Sequence, residues 1–283
     1  MNIVKISGGL GNQMFQYALY RSLKSKGLDV KVDLSYYNQF DIHSGYELNR
    51  VFGLSPDVAT KDKVEKLSNY SSNYLWRLYF KYRSKKTHFY QKNSSFDASV
   101  FNLQDTYLDG YWQSDKYFID ISKMIISEFN CLVPCDDANH NLESIMIKSN
   151  SVSVHIRRGD YLNSYTHNVC NLDYYRKAID YMNKNLDNPV FFIFSDDIEW
   201  AIENLDLDGA KFISWNTGEE SYIDMILMSK CKHNVICNSS FSWWGAYLNS
   251  NPNKFVTAPF KWFKGREAYD IVPDNWHKII FEI

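Results

Sequence analysis

Apolar positions along the chain fall into two patterns. Short, nearly continuous runs such as Ile3-Val4-Lys5-Ile6 and Val190-Phe191-Phe192-Ile193-Phe194 have the length of buried strands, whereas Phe15, Ala18, Leu19 and Leu23 keep the spacing of one helix face. The first run leads into a glycine turn, a helix over 12–26 that Gly27 stops, and a new strand over 30–34. Strand, helix and strand in that order predict a parallel α/β sheet. Residues 57–95 predict polar or aromatic helices without clear strands, 106–112 a further strand, and 117–129 an amphipathic helix.

The second half is more regular. Strands are predicted at 152–156, 190–194, 211–214, 235–237 and 255–257, with helices at 172–185, 198–205, 222–229 and 242–248 between them. That alternation predicts a doubly wound sheet. The turn-forming stretch Pro134-Cys135-Asp136-Asp137-Ala138-Asn139 sets the boundary between a first domain, 1–135, and a second, 136–283. The expected architecture is α/β, with two Rossmann-like doubly wound domains facing each other across a cleft.

Composition narrows the function. With 45% hydrophobic and 23% charged residues, the chain can build a substantial core, and its net charge of −2 lacks the basic excess of a nucleic-acid binder. Cys131, Cys135, Cys170, Cys231 and Cys237 are odd in number and hold no C-x-x-C pair, so buried thiols are expected rather than disulfides. A zinc site from Cys231, His233 and Cys237 matches no usual ligand spacing. No secretory pattern and no apolar run of about 20 residues is present, so the expected compartment is the cytoplasm.

Four segments carry chemistry. Gly8-Gly9-Leu10-Gly11-Asn12-Gln13 ends a strand and opens a helix; a glycine turn alone is more often structural, but its backbone N–H groups suit an anion and the Asn12 and Gln13 amides suit sugar hydroxyls. It lacks the Gly-Lys-Ser/Thr of a Walker loop, and Met14 replaces the third glycine of a dinucleotide fingerprint. His155-Ile156-Arg157-Arg158-Gly159-Asp160-Tyr161 ends another strand. Strand alternation puts His155 and Arg157 on one face, so one arginine can clamp a diphosphate while the other pairs internally with a carboxylate such as Asp160. After the strand at 190–194, Asp196 can cap a helix with Glu199 three positions later, or accept from the N–H edge of guanine. Ser239 and Ser240, before Phe241 and Trp243-Trp244, can cap a helix or donate to phosphate.

Taken together these segments resemble the bacterial α-1,2-fucosyltransferases of glycosyltransferase family 11. The resemblance rests on GGLGNQMFQYA (8–18), LDGYWQSDKYF (108–118), HIRRGDY (155–161), LDYYRKAI (172–179), FSDD (194–197) and NSSFSWWGA (238–246), in order over nearly the whole chain. It implies a GT-B-type fold, with GDP-fucose mostly on the second domain and the acceptor on the first, and inversion at the transferred sugar. It further implies that Arg157 contacts the diphosphate, that His155 and Asp196 hold guanine, and that Ser239, Ser240 and Phe241 hold phosphate. Arg158 and Asp160 complete the expected donor set, and Gly9, Gly11, Asn12 and Gln13 the expected acceptor side.

Departure of GDP places negative charge on the diphosphate, which Arg157 and helix-start N–H groups can stabilise without a cation, so no metal or other cofactor is expected. His167 is the first candidate for the base that takes the acceptor proton, ahead of Asp160 and Asp115. The family implies a terminal β-galactose of a surface polysaccharide repeat unit as acceptor, on an oligosaccharide or a lipid-linked glycan. Segment 77–92 holds six Lys or Arg and no Asp or Glu among aromatics, a pattern that suits a solvated helix face balanced by acids elsewhere or, alternatively, peripheral contact with the inner face of a membrane. The rival readings are a transferase of another linkage and a silent GDP-sugar-binding module.

Overall fold

In a computed structural model the chain forms two compact units, Met1–Asn130 and Cys131–Ile283. Residues 1–38, 45–71, 73–131 and 136–283 are described, except for the side chains of Tyr74, Arg77, Lys81 and Tyr82. Pro134 and Cys135, where the boundary was expected, lie outside them. Among the described residues no helix is long and apolar enough to cross a membrane.

The first unit runs β1 (Asn2–Lys5), α1 (Leu10–Ser25), β2 (Val30–Asp33), α2 (Leu48–Phe52), α3 (Lys61–Leu67), α4 (Tyr74–Tyr82), β3 (His88–Tyr90), β4 (Tyr107–Asp109) and α5 (Ser122–Glu128). Its strands are all parallel, in the order β2-β1-β4-β3. The stripe Phe15, Ala18, Leu19 and Leu23 is fully buried, as its helical spacing requires, together with Ile3 and Val4 of β1. β3 was not expected; three residues are too few to show alternation. The helix expected over 117–129 shrinks to α5, because the Ser114 hydroxyl caps a short 3-10 turn at Asp115–Tyr117 and Phe118, at φ −141°, leaves the helical path.

The second unit runs α6 (Asp137–Lys148), β5 (Asn150–Ile156), α7 (Leu172–Asn185), β6 (Pro189–Ser195), α8 (Ile198–Asn204), β7 (Lys211–Ile213), α9 (Tyr222–Lys230), β8 (His233–Val235), α10 (Ser240–Tyr247), β9 (Val256–Pro259) and β10 (His277–Ile279). All six strands are parallel, in the order β10-β9-β8-β5-β6-β7. Counted from β5, that is the Rossmann order 3-2-1-4-5-6 read from the β7 edge, and its switch point falls between β5 and β8. α6 was missed because the Asp136 carboxylate accepts from the Asn139 N–H, so residues that read as a turn are a helix cap. β10 was also missed. Val152, Val154 and Ile156 of β5 pack with Tyr174, Tyr175 and Ala178 of α7 in the core.

Of the cysteines, Cys170, Cys231 and Cys237 are buried free thiols and Cys131 is partly exposed. His233 is engaged elsewhere than in a zinc trio: its Nδ1 accepts from the Phe255 N–H at 3.0 Å and its Nε2 faces Asn150 Oδ1 at 3.2 Å.

Candidate functional site

Ligands of a parallel sheet sit beyond the carboxyl ends of its strands at the switch point. In the second unit that place is occupied by the turns after β5, β6 and β8. His155 pairs in register with Phe194 and Ile156 with Ser195, so residues 157–160 emerge beside Asp196 and Asp197. Tyr161 ties the β5 turn to the β8 turn, its hydroxyl donating to the Asn238 carbonyl at 3.4 Å.

Arg157 bridges two carboxylates, at 2.8 Å from Asp160 Oδ1 and 3.1 Å from Asp196 Oδ2, with its guanidinium 5.6 Å from the Tyr161 ring centroid. Burial opposes its charge, but Asp196 and Asp160 outweigh burial and raise its pKa. The Asp160 side chain is 64% exposed, so that arm of the bridge is screened and readily exchanged for a stronger anion.

Arg158 does not pair with Asp160, contrary to the expected internal partner. Its Nε lies 2.9 Å from Asp197 Oδ2 and its guanidinium stacks over Trp200 at 3.9 Å. This makes Arg158 a structural brace between the β5 turn and α8. Neither Asp197 in this role nor Trp200 was singled out in the sequence, since the contact spans 42 residues and follows no local spacing.

Asp196 is also more constrained than expected. Its Oδ1 accepts from the Arg158 N–H at 2.8 Å while Oδ2 pairs with Arg157. The helix cap expected of Asp196 falls instead to Asp197, whose Oδ1 accepts from the Trp200 N–H.

His155 is buried, with Nδ1 3.2 Å from Cys237 Sγ and its ring beside Phe241. Burial, assisted by Arg157, lowers its pKa to about 3. Burial likewise pushes the Cys237 thiol up to about 12. The protonated thiol also faces the Ser242 hydroxyl at 3.7 Å, so His155 Nδ1 shares Cys237 Sγ with that group.

The serine turn forms the start of α10. Ser239 caps it by accepting from the Phe241 N–H at 3.3 Å, and Trp243 and Trp244 are both fully buried, so neither stacks on a ligand. Asn238 holds the turn through its side-chain amide, which donates to the carbonyls of His167 and Trp262. His167 is half-buried, with Nδ1 2.8 Å from the Ser164 hydroxyl and its ring edge-on to Phe263; burial, then Arg266, lowers its pKa.

In the first unit, Gly8 takes φ +80°, and a β-carbon there would meet Asn12 Nδ2 at 2.8 Å, so this loop position requires glycine. Gly9 caps α1, and Gly11 opens its first turn. Gln13 is fully buried: its Nε2 donates to the carbonyls of Gly8 and Gly45 and its Oε1 accepts from the Glu47 N–H. Its amide shapes the loop: both N–H groups and one oxygen lone pair are committed, and full burial keeps the rest from a sugar. Asn12 is partly exposed and accepts from Gln113 at 2.7 Å. Among the described residues no group of three His, Cys, Asp or Glu is arranged to hold a metal ion.

Comparison with known proteins gives a consistent picture. The profile of glycosyl transferase family 11 matches residues 1–279. An alpha-1,2-colitosyltransferase of Escherichia coli is 34% identical over 98% of this chain and 98% of its own length. The O-antigen biosynthesis glycosyltransferase WbnK of Escherichia coli is 36% identical over 96% and 98%. A galactoside alpha-(1,2)-fucosyltransferase 1 of Saimiri boliviensis boliviensis is 34% identical over a shorter stretch, 34% of this chain and 28% of its own.

Proposed function

The chain belongs to glycosyl transferase family 11, and on that premise we propose that it transfers L-fucose from GDP-β-L-fucose, with inversion, to the 2-hydroxyl of a terminal β-galactosyl residue in O-antigen or related surface-polysaccharide synthesis. The observation that carries the donor half is Arg157, presented at the switch point of the Rossmann-ordered sheet with one exchangeable carboxylate partner. A diphosphate that replaces Asp160 takes up the guanidinium fork bidentately, and the charge that builds on GDP as the glycosidic bond breaks is met there. The N–H groups at the start of α10, capped by Ser239, supply a second source of positive potential. His155, held neutral by burial, and the Asp196 turn serve the nucleobase end.

His167 is the proposed base. Held neutral by burial and Arg266, it can accept the proton of the acceptor hydroxyl at neutral pH. No metal is needed in this reading, because Arg157 engages Asp160 and Asp196 and Arg158 engages Asp197, and the Arg157 guanidinium is the cation that meets the diphosphate. We place the protein in the cytoplasm, at the inner membrane face, with a lipid-linked glycan as acceptor and segment 77–92 as the contact.

A second donor, GDP-colitose, is favoured by one specific observation, the colitosyltransferase relative. Colitose lacks the 3-hydroxyl of fucose, and a site built to hydrogen-bond that hydroxyl discriminates strongly against the analogue without it. The test offers both donors with a panel of β-galactosides, follows GDP release, and determines the linkage of the product. A kcat/KM at least tenfold higher for GDP-fucose and a 1→2 linkage are expected. Preference for GDP-colitose moves the reading to the second donor, and hydrolysis without transfer to any galactoside overturns the acceptor.

A further inference from the structure

Beyond the carboxyl end of β2, the first unit holds a groove of about 750 Å³ that the site above does not use. It runs from Asp33 past Glu65 and Asn69 to Tyr70 and Tyr90, and none of the glycine-loop residues Gly8 to Gln13 lines it. Two large aromatic side chains stand open in it, Tyr70 at 40% and Tyr90 at 46% exposure. Both are fixed in place. The Tyr90 ring stacks on the buried His88 at 4.0 Å and its hydroxyl accepts from Asn69 Nδ2 at 3.3 Å. Tyr70 donates to Asp109 Oδ2 at 2.9 Å and accepts from Lys5 Nζ at 2.8 Å.

Behind these rings lies a set of hydrogen bonds that leaves them little freedom. His88 Nδ1 accepts from the Asn69 N–H at 2.7 Å, so its Nε2 carries the proton and donates to Asp109 Oδ2 at 3.3 Å. Asp109 thereby collects Lys5, Tyr70 and His88. Burial alone would raise its pKa, but these three partners outweigh burial and lower it. A rigid aromatic platform of this kind presents apolar area at low entropic cost, which is what the apolar face of a pyranose needs.

The charge of the groove selects the ligand class. Among the described residues its charged lining is Asp33, Glu65 and Lys61, a net negative set that opposes a phosphate and sets it apart from the arginine-bearing site of the second unit. Amide, hydroxyl and carboxylate groups beside open tyrosine rings suit a neutral, polyhydroxylated ligand. We infer that this groove binds neutral sugar residues of an extended glycan acceptor, inward from the residue that receives the transferred sugar. The inference rests on the proposed transfer for its biological setting, and on the groove alone for its chemistry.

The test measures binding to the full chain by calorimetry, without donor, using a β-galactose-terminated tetrasaccharide and a simple methyl β-galactoside. The tetrasaccharide should bind at least tenfold more tightly. Tyr90→Ala should weaken the tetrasaccharide about five- to tenfold, the range of a lost aromatic stacking contact, while Tyr90→Phe stays within threefold of wild type. Neither variant should change KM for the donor. Hydrogen exchange on the unmodified protein guards against a folding defect in the alanine variant: the tetrasaccharide should protect peptides covering 65–71 and 88–92. Equal affinity for both glycans, or no protection of those peptides, overturns the groove. Both readouts are independent of transfer, so an inactive donor would overturn the proposed function and leave this result standing.

Discussion

Gly159 and Asp196 approach so closely that a β-carbon on residue 159 would lie 2.7 Å from Asp196 Oδ2. The glycine lets the turn after β5 fold down onto the carboxylate that also receives the Arg158 N–H and Arg157. Gly159→Ala pushes against the far end of a side chain rather than against backbone, so its stability cost should sit near the low end of overpacking, about 1 kcal/mol. The displaced carboxylate, however, no longer orients Arg157. We expect kcat/KM to fall at least tenfold with a melting temperature lowered by only a few degrees. Activity within twofold of wild type would mean that the turn tolerates a different Asp196 position.

Arg157→Ala should nearly abolish transfer with the fold intact, since it removes the fork that meets the diphosphate. Arg157→Lys should recover little, because a point charge cannot make two parallel hydrogen bonds. A loss of less than tenfold, or about 1.4 kcal/mol of transition-state stabilisation, in either variant would remove Arg157 from the role of principal phosphate clamp. Circular dichroism on both variants separates this from misfolding.

Activity should survive chelation. Asp160 and Asp196 pair with Arg157, and Asp197 with Arg158, so each carboxylate already has a cationic partner within the chain. Initial rates in millimolar EDTA are expected to match those in Mg²⁺ or Mn²⁺ within a factor of two. Loss in EDTA with recovery on adding either ion would replace the arginine clamp with a metal-assisted mechanism.

How far these residues were legible in the sequence depends on the range of the interaction. The helix stripe Phe15, Ala18, Leu19 and Leu23 and the strand Val190 to Phe194 are local patterns, and both appear where periodicity puts them. The position of Arg157 just beyond β5 was legible because a strand end is a local property. The partners of Arg158 were not, since Asp197 and Trp200 reach it only through the pairing of β5 with β6. Gln13 reads as a ligand in sequence because amides suit sugars, yet burial commits it to Gly8, Gly45 and Glu47. Short strands such as β3 and β10 carry too few residues to show a period, and their neighbours across the sheet define them.

A buried histidine and a partly buried aspartate should pull stability in opposite directions with pH. His155 has a folded pKa of about 3 against an ordinary 6.5. Between those values the unfolded chain binds a proton that the folded chain does not, so this group makes stability fall as pH falls, by at most about 1.4 kcal/mol per unit. Asp224 is raised by burial to about 7, with Asn216 donating to it at 2.8 Å. Its protonation stabilises the folded chain fully below pH 3.8 and ceases to do so as pH rises through 7. The two nearly cancel between pH 4 and 6.5. Asp224→Asn keeps the acceptor oxygen and removes the titration, so its urea midpoint should drop more steeply than wild type from pH 6.5 to 4. Coincident slopes would show that Asp224 is ionised in the folded chain.

The membrane contact can be tested through α4. Among its described side chains Leu75, Trp76, Leu78 and Tyr79 are exposed, at 73%, 53%, 43% and 46%, while Trp76 stacks on Phe80 within the helix itself. Apolar side chains on the outside of a nine-residue helix gain nothing from water, and an interface would cover them. The flanking charge is one-signed: no Asp or Glu occurs from residue 66 to 96, against seven Lys or Arg. Arg83, Lys86 and Lys92 are exposed, whereas Lys85 turns inward to the carbonyls of Glu65 and Lys66; the side chains of Arg77 and Lys81 lie outside the described residues. Each exposed cation near an anionic surface contributes about 1 kcal/mol, so three of them with a tryptophan should give measurable, salt-sensitive binding. In co-sedimentation with vesicles of 30% anionic lipid we expect binding at low salt that falls several-fold in 0.5 M salt. Trp76→Ala and Lys86→Glu should each weaken it, while transfer to a soluble galactoside is unchanged. Equal binding to neutral and anionic vesicles, or none to either, would leave this helix as ordinary surface.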